Sequence, residues 1–120
     1  AVGDDPPAVR IKSILRKAAE RGFSPGTILP PSSAVERAVF LKLAELPTLL
    51  SFAFDHRAPN YVCDYAYTLA ALFTRFYHDH HILRAPDAAR RASWLELARL
   101  LLAVLELALD LLGIEVPARM

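Results

Sequence analysis

A single cysteine, Cys63, stands among the 120 residues. One thiol cannot close an internal disulfide or build a cysteine zinc site, and its solitude fits a reducing cytosol. Only four glycines are present, and they are too scattered to make a glycine-rich phosphate loop. Neither charge sign dominates, because 14 Lys and Arg against 13 Asp and Glu leave a formal net charge of +1. Bulk charge therefore names no partner, and any basic surface must come from local clustering. The long apolar stretch from Ala92 to Leu112 is interrupted by Glu96, Arg99, Glu106 and Asp110, so a membrane span is not expected. No signal-peptide pattern opens the chain. It begins at Ala1 and not Met, as expected of a processed product or a domain cut from something longer. There is no internal repeat and no low-complexity tract.

What is present is apolar and helix-forming. The composition is 54% apolar and 22% charged, that of a folded domain, and this length suits one domain. Leu and Ala are heavily used. The expected fold is an all-α bundle of about five helices, with residues 1–7 as a polar lead and 8–120 as the helical domain. Ala92 to Leu112 (ASWLELARLLLAVLELALDLL) is the expected central helix. Its four charges fall along one narrow stripe at 3.6 residues per turn, so the rest of its circumference must be covered. Gly113 closes it in a left-handed C′ position.

The other segments read as elements that cover this helix. Pro7 suits the first position of a helix through about Arg21, with Ile11, Ile14, Leu15 and Ala18 inward and Gly22 as its stop. The stretch 23–32 (FSPGTILPPS) is a loop with Phe23 or Ile28 as its anchor. Ser33 and Glu36 have capping-box spacing for a helix to about Glu45, with Val35, Val39, Phe40 and Leu43 inward. Pro47 ends or kinks it and starts a short helix to about Asp55, whose Leu49, Leu50, Phe52 and Ala53 predict a mostly buried segment. Pro59 opens a helix over about Asn60 to His80, with Tyr61, Tyr65, Leu69, Leu72 and Phe76 lining one face and Val62, Ala66 and Phe73 beside it. Either Asp87 or Ser93 caps the central helix.

Few residues invite chemistry. His78, Asp79, His80 and His81 are the densest polar cluster, and His78 and His81 could share a helical face, but no third ligand is evident. They read as a polar helix end, where His also suits the dipole. Cys63 has no base fixed near it and reads as a half-buried packing residue. No metal, cofactor or catalytic residue is predicted. The first helix is the one asymmetric feature: Arg10, Lys12, Arg16, Lys17 and Arg21 are opposed only by Glu20. Such a row suits a phosphate backbone, although a solvated face is the plainer reading. Tyr77, His81 and Trp94 are the aromatic groups on which unpaired bases could stack.

Four segments carry a family resemblance: VRIKSILRK at 9–17, ERAVFLKLAELP at 36–47, YAYTLAALFTRFYHDHHIL at 65–83, and WLELARLLLAVLELALDLLGIEVPARM at 94–120. Together they resemble the C-terminal anticodon-binding domain of arginyl-tRNA synthetases, the DALR domain, over Val9 to Met120. The resemblance implies a helical bundle that grips the anticodon arm of arginine tRNA in support of aminoacylation, in the cytoplasm, with no catalytic centre of its own. It implies that Tyr77 lies near the anticodon bases, that His81 approaches the same loop, and that Met120 helps shape the pocket. Arg10, Lys12, Arg16 and Lys17 would then neutralise phosphates. A synthetase catalytic domain or a second copy of the chain are the further partners.

Three departures qualify the likeness. DDPPA at 4–8 replaces a tyrosine-rich stretch, Trp94 stands where an arginine is usual, and the catalytic domain with its nucleotide-handling signatures is absent from the sequence. The alternative expectation is a freestanding interaction or dimerisation module with RNA binding weakened or lost, built on any uncovered strip of the central helix.

Overall fold

The computed structural model describes residues 6–113. These form helices α1 (Pro7–Glu20), α2 (Ala34–Ala44), α3 (Leu46–His56), α4 (Pro59–Asp79) and α5 (Ala88–Leu111), with a short 3-10 turn at Ile82–Arg84 before α5. No strand occurs among the described residues. The all-α expectation is met.

Helix α5 is the axis. It starts four residues before the expected Ala92, because the Asp87 side chain accepts the Ala89 N–H at 3.0 Å. Ser93 is therefore no cap: it is buried in the helix, and its hydroxyl accepts the Leu29 N–H at 2.9 Å. Helices α1 and α4 both run antiparallel to α5. Lys12 meets Glu106 near one end of α5, and Arg91 lies over Phe23 near the other; along α4, Phe76 packs on Trp94 while Val62 clusters with Ala108. The core is the seam between these helices, with Ile11, Leu69, Phe73, Phe76, Leu97 and Leu101 enclosed. Burying each such side chain contributes about 1.5–3 kcal/mol.

Local chemistry sets the boundaries. Gly22, with φ +77°, ends α1: its N–H bonds to the Ala19 carbonyl and that of Phe23 to Ala18, which satisfies the last carbonyls and turns Phe23 inward. Gly113 ends α5 with φ +72°. The Ser33 hydroxyl accepts the Glu36 N–H at 3.1 Å, as capping-box spacing requires. The reciprocal arm differs from expectation, because the Glu36 carboxylate takes the N–H and hydroxyl of Ser32, both at 2.8 Å. Glu36 is fully buried, and its second oxygen sits 3.9 Å from Arg90. Pro47 lacks an N–H and breaks what would be one long helix into α2 and α3 at Glu45.

The proline-rich loop is strapped to the start of α5. Gly26 donates to the Ala92 carbonyl at 3.0 Å, and Arg90 donates to the Pro30 carbonyl at 2.8 Å. A Cβ on Gly26 would lie 2.9 Å from the Ala92 Cβ, a methyl that cannot swing away. Gly26→Ala is expected to cost about 1–3 kcal/mol. In a double-mutant cycle Ala92→Gly recovers part of the loss, less about 1 kcal/mol for glycine inside a helix. Additive losses in denaturant melts would contradict the close approach.

Tyr65 ties α4 to α2 by donating its phenol to the Lys42 carbonyl at 2.6 Å. Burial, and then the charge of Glu45, push that phenol up to about 12. Between its ordinary value and about 12 the folded state holds a proton that the unfolded chain has lost. This contribution to stability is therefore whole below about pH 10 and lost as pH rises toward 12. Tyr65→Phe is expected to cost about 1 kcal/mol at neutral pH and to flatten the decline above pH 10. Parallel alkaline stability curves for both proteins would refute this.

Several expectations fail at the α3 end. Only Ala53 of α3 is buried, and Phe54 is 85% exposed. Helix α3 meets α4 and the end of α2, and Ala53 joins Val62 and Ala108 in a small cluster, while Phe52 and Phe54 face outward among the described residues. Tyr61 and Cys63 are exposed on α4 instead of covered, because the buried stripe runs through Val62, Tyr65, Leu69, Phe73 and Phe76. Leu107 and Leu111 of α5 also reach solvent, so the central helix is less fully wrapped than its narrow charge stripe predicts.

Candidate nucleic-acid interface

The basic helix α1 presents its cations outward because Ile11, Ile14 and Ala18 occupy its inner face. Lys12, Arg16 and Lys17 are exposed and Arg10 is half-buried. Their surroundings are less uniformly basic than the sequence implies. Lys12 lies 3.4 Å from Glu106, a carboxylate on α5, and Arg16 lies 3.9 Å from Glu20. Both pairs are exposed, so each contributes well under about 1 kcal/mol and yields readily to a phosphate. Farther round α5, the Arg99 guanidinium chelates Glu96 and, chiefly through those hydrogen bonds, holds its carboxyl below the ordinary range.

Tyr77 and His81 sit at the far end of α4. Tyr77 is half-buried, its ring parallel to that of Phe73 at 6.0 Å and 11°. Phe73 is fully buried, so Tyr77 rests on a rigid platform. His81 is exposed where the chain leaves the helix in extended conformation, at φ −78° and ψ 91°. The bundle holds this corner firmly through His80. That ring stacks on Phe76 at 4.8 Å and meets Trp94 edge-on at 5.0 Å. Trp94 is thereby turned into the bundle, with its indole N–H enclosed and without an acceptor among the described residues; it is a packing group and not an open stacking face.

The histidine run is not gathered on one helical face. Helix α4 stops at Asp79, so His78 and His81 do not share a helical face. Among the described residues no group of three or more His, Cys, Asp and Glu could hold a metal ion. Met120 lies outside the described residues.

Along the bundle axis the candidate residues are spread out and not gathered into one cluster. Because α1 and α4 both oppose α5, Arg10 and Lys12 lie toward the C-terminal half of α5, while Tyr77 and His81 lie at its start. From Trp94 to Glu106 is about 18 Å of helix. Arg16 and Lys17 fall between the two ends. Such a surface suits an extended anion with unpaired bases at one end. The most exposed aromatics, Phe54 and Tyr67 at 85% and 78%, were not among the stacking candidates read from the sequence, although Tyr67 falls on the side of α4 away from its apolar face. Phe54 carries no polar signal, and only the missing cover on α3 reveals it.

An all-α bundle is the form of a helical anticodon-binding domain. The chain belongs to the DALR anticodon binding domain family, whose model matches residues 7–120. Its relatives include the arginine–tRNA ligases of Maricaulis maris, 49% identical over 113 residues, and of Alkaliphilus oremlandii, 45% identical over 113 residues. That of Hyphomonas neptunium is 43% identical over 113 residues. These alignments cover 93–94% of this chain and 19% of each ligase, so the chain spans about a fifth of the length of these relatives. No helix among the described residues is long and apolar enough to cross a membrane.

Proposed function

We propose that this chain binds the anticodon arm of arginine tRNA and holds it for aminoacylation, in the cytoplasm, while the chemistry belongs to a catalytic domain outside this sequence. The observation that carries the reading is the corner at the end of α4, where Tyr77 lies parallel to the buried Phe73 ring and His81, just past the helix, is exposed. Bases splayed from a loop stack on such rings. Arg10, Lys12, Arg16 and Lys17 neutralise the phosphates that lead to the loop, and phosphate neutralisation releases counterions, so affinity falls with salt. The domain comprises residues 8–120. Met120 as a part of the pocket rests on the family resemblance alone.

The kinship to arginine–tRNA ligases supports the choice of tRNA. The test is a titration of the chain with an arginine-tRNA anticodon stem-loop, beside one whose loop is changed, at two salt concentrations. Tighter binding to the matching loop, weakened by salt, is the expected result. Equal binding to both would reduce the site to a basic helix on phosphate, and no binding at low salt would end the reading.

A further inference from the structure

The turn that follows α4 has a period of three. Ile82 and Ala85 are buried, at 0% and 7% exposure, while His81 and Arg84 face solvent. The Arg84 N–H bonds to the His81 carbonyl at 3.0 Å, and that of Ala85 to Ile82 at 3.2 Å. Residues three apart lie one above the other in such a 3-10 turn, and an i to i+3 bond keeps their Cα atoms within about 7 Å. His81 and Arg84 therefore leave the bundle side by side. Their footing is fixed: Ile82 and Leu83 pack in the core, and the Ala85 carbonyl accepts from the Arg91 guanidinium at 3.0 Å.

The cations around this turn differ in what they do. Arg90 donates to the Pro30 carbonyl, and Arg91 donates to Ala85 while it covers the Phe23 ring. Those two hold the fold together. Arg84 is exposed, and among the described residues its guanidinium meets no acceptor and no carboxylate. The acids nearest to it in sequence are engaged elsewhere, Asp79 beside His78 and Asp87 on the Ala89 N–H. A guanidinium without internal partners, carried on a rigid turn, can fork two parallel hydrogen bonds onto a phosphate.

We propose that Arg84 binds the backbone phosphate of the nucleotide whose base stacks on His81, so that this turn holds one nucleotide by both its base and its backbone. An imidazole takes the face of an unpaired base, and the adjacent guanidinium neutralises the charge that the same nucleotide carries. This contact, which rests on the anticodon-arm reading, lies outside the basic row of α1. The α1 cations meet phosphates farther along the arm, whereas Arg84 acts at the loop itself.

Fluorescence anisotropy with a labelled arginine-tRNA anticodon stem-loop, across a series of salt concentrations, tests it. In the unchanged chain log affinity falls linearly with log salt, and Arg84→Gln is expected to reduce the magnitude of that slope by about 0.7, the share of one single-stranded phosphate. Its Kd is expected to rise about tenfold at low salt. Arg37→Gln removes a cation that is also exposed, on α2, and is expected to leave the slope unchanged. His81→Ala combined with Arg84→Gln is expected to lose less than the product of the two single losses, because either change alone loosens the same nucleotide. All three positions are exposed, so circular dichroism is expected to show an intact bundle. Loop-selective binding by the unchanged chain, with no change of slope in Arg84→Gln, would overturn the Arg84 contact and leave the anticodon reading standing. Equal losses of slope in Arg84→Gln and Arg37→Gln would overturn it too, as would losses that simply multiply in the double variant. No binding by the unchanged chain at low salt would overturn both.

Discussion

Phe73→Ala is expected to lower the unfolding free energy by about 3–5 kcal/mol, the range for deleting a buried aromatic side chain. Phe73 is fully enclosed and belongs to the cluster in which α1, α4 and α5 meet. The surrounding helices cannot close on the space, because each is held elsewhere: α1 by its capped end at Gly22, α4 by the Tyr65 phenol on Lys42, and α5 by the strap of the proline-rich loop. The thermal midpoint is expected to fall by roughly 10–20 °C for a domain of this size. Tyr67→Ala, on the exposed side of the same helix, is expected to stay within about 0.5 kcal/mol. A loss below about 1 kcal/mol for Phe73→Ala would show that the core can collapse, against the packing described.

Tyr77→Ala is expected to weaken binding of the arginine-tRNA anticodon arm by about 1–3 kcal/mol, the scale of one lost stacked base. That is roughly a 5- to 150-fold rise in Kd. Tyr77→Phe keeps the face of the ring and the contact with Phe73, so its affinity is expected to remain near that of the unchanged chain. The pair separates stacking from hydrogen bonding by the hydroxyl. Fluorescence anisotropy with a labelled stem-loop reads both, and the thermal midpoint of each variant reports whether the fold survives. Unchanged affinity in a folded Tyr77→Ala protein would remove Tyr77 from the site.

These two residues show how differently the sequence exposes packing and function. Phe73 falls on a helical period shared with Leu69 and Phe76, and any reading of that period places it inside. The period also located Ile11, Ile14 and Ala18, and the helix stops at Gly22 and Gly113 followed from a glycine after an apolar run. Tyr77 gives no such signal. It lies next to the buried stripe, half-buried and half-open, and periodicity alone cannot distinguish a packing aromatic from a stacking one there. The family resemblance singled it out.

What the sequence hid has a physical cause in each case. Apolar content predicted a buried α3, but its neighbours cover chiefly the side that carries Ala53 and leave Phe52 and Phe54 exposed. Burial there depends on what lies across α3, which no local pattern encodes. The opposition of Lys12 by Glu106 joins residues far apart in the chain, so α1 read as more uniformly basic than it is. Glu36 offered a capping partner three residues back; the folded loop presents Ser32 instead, because its backbone N–H and hydroxyl reach the carboxylate together.

The most direct measurement of the central claim is a map of amide chemical-shift changes in the isotope-labelled chain as arginine-tRNA anticodon stem-loop is added. Changes are expected on Tyr77, the residues through His81, and the outer face of α1 from Arg10 to Lys17, with α3 and the last turn of α5 at Leu111 unaffected. Changes confined to α3 and the C-terminal end of α5, with Tyr77 and His81 silent at saturation, would contradict it.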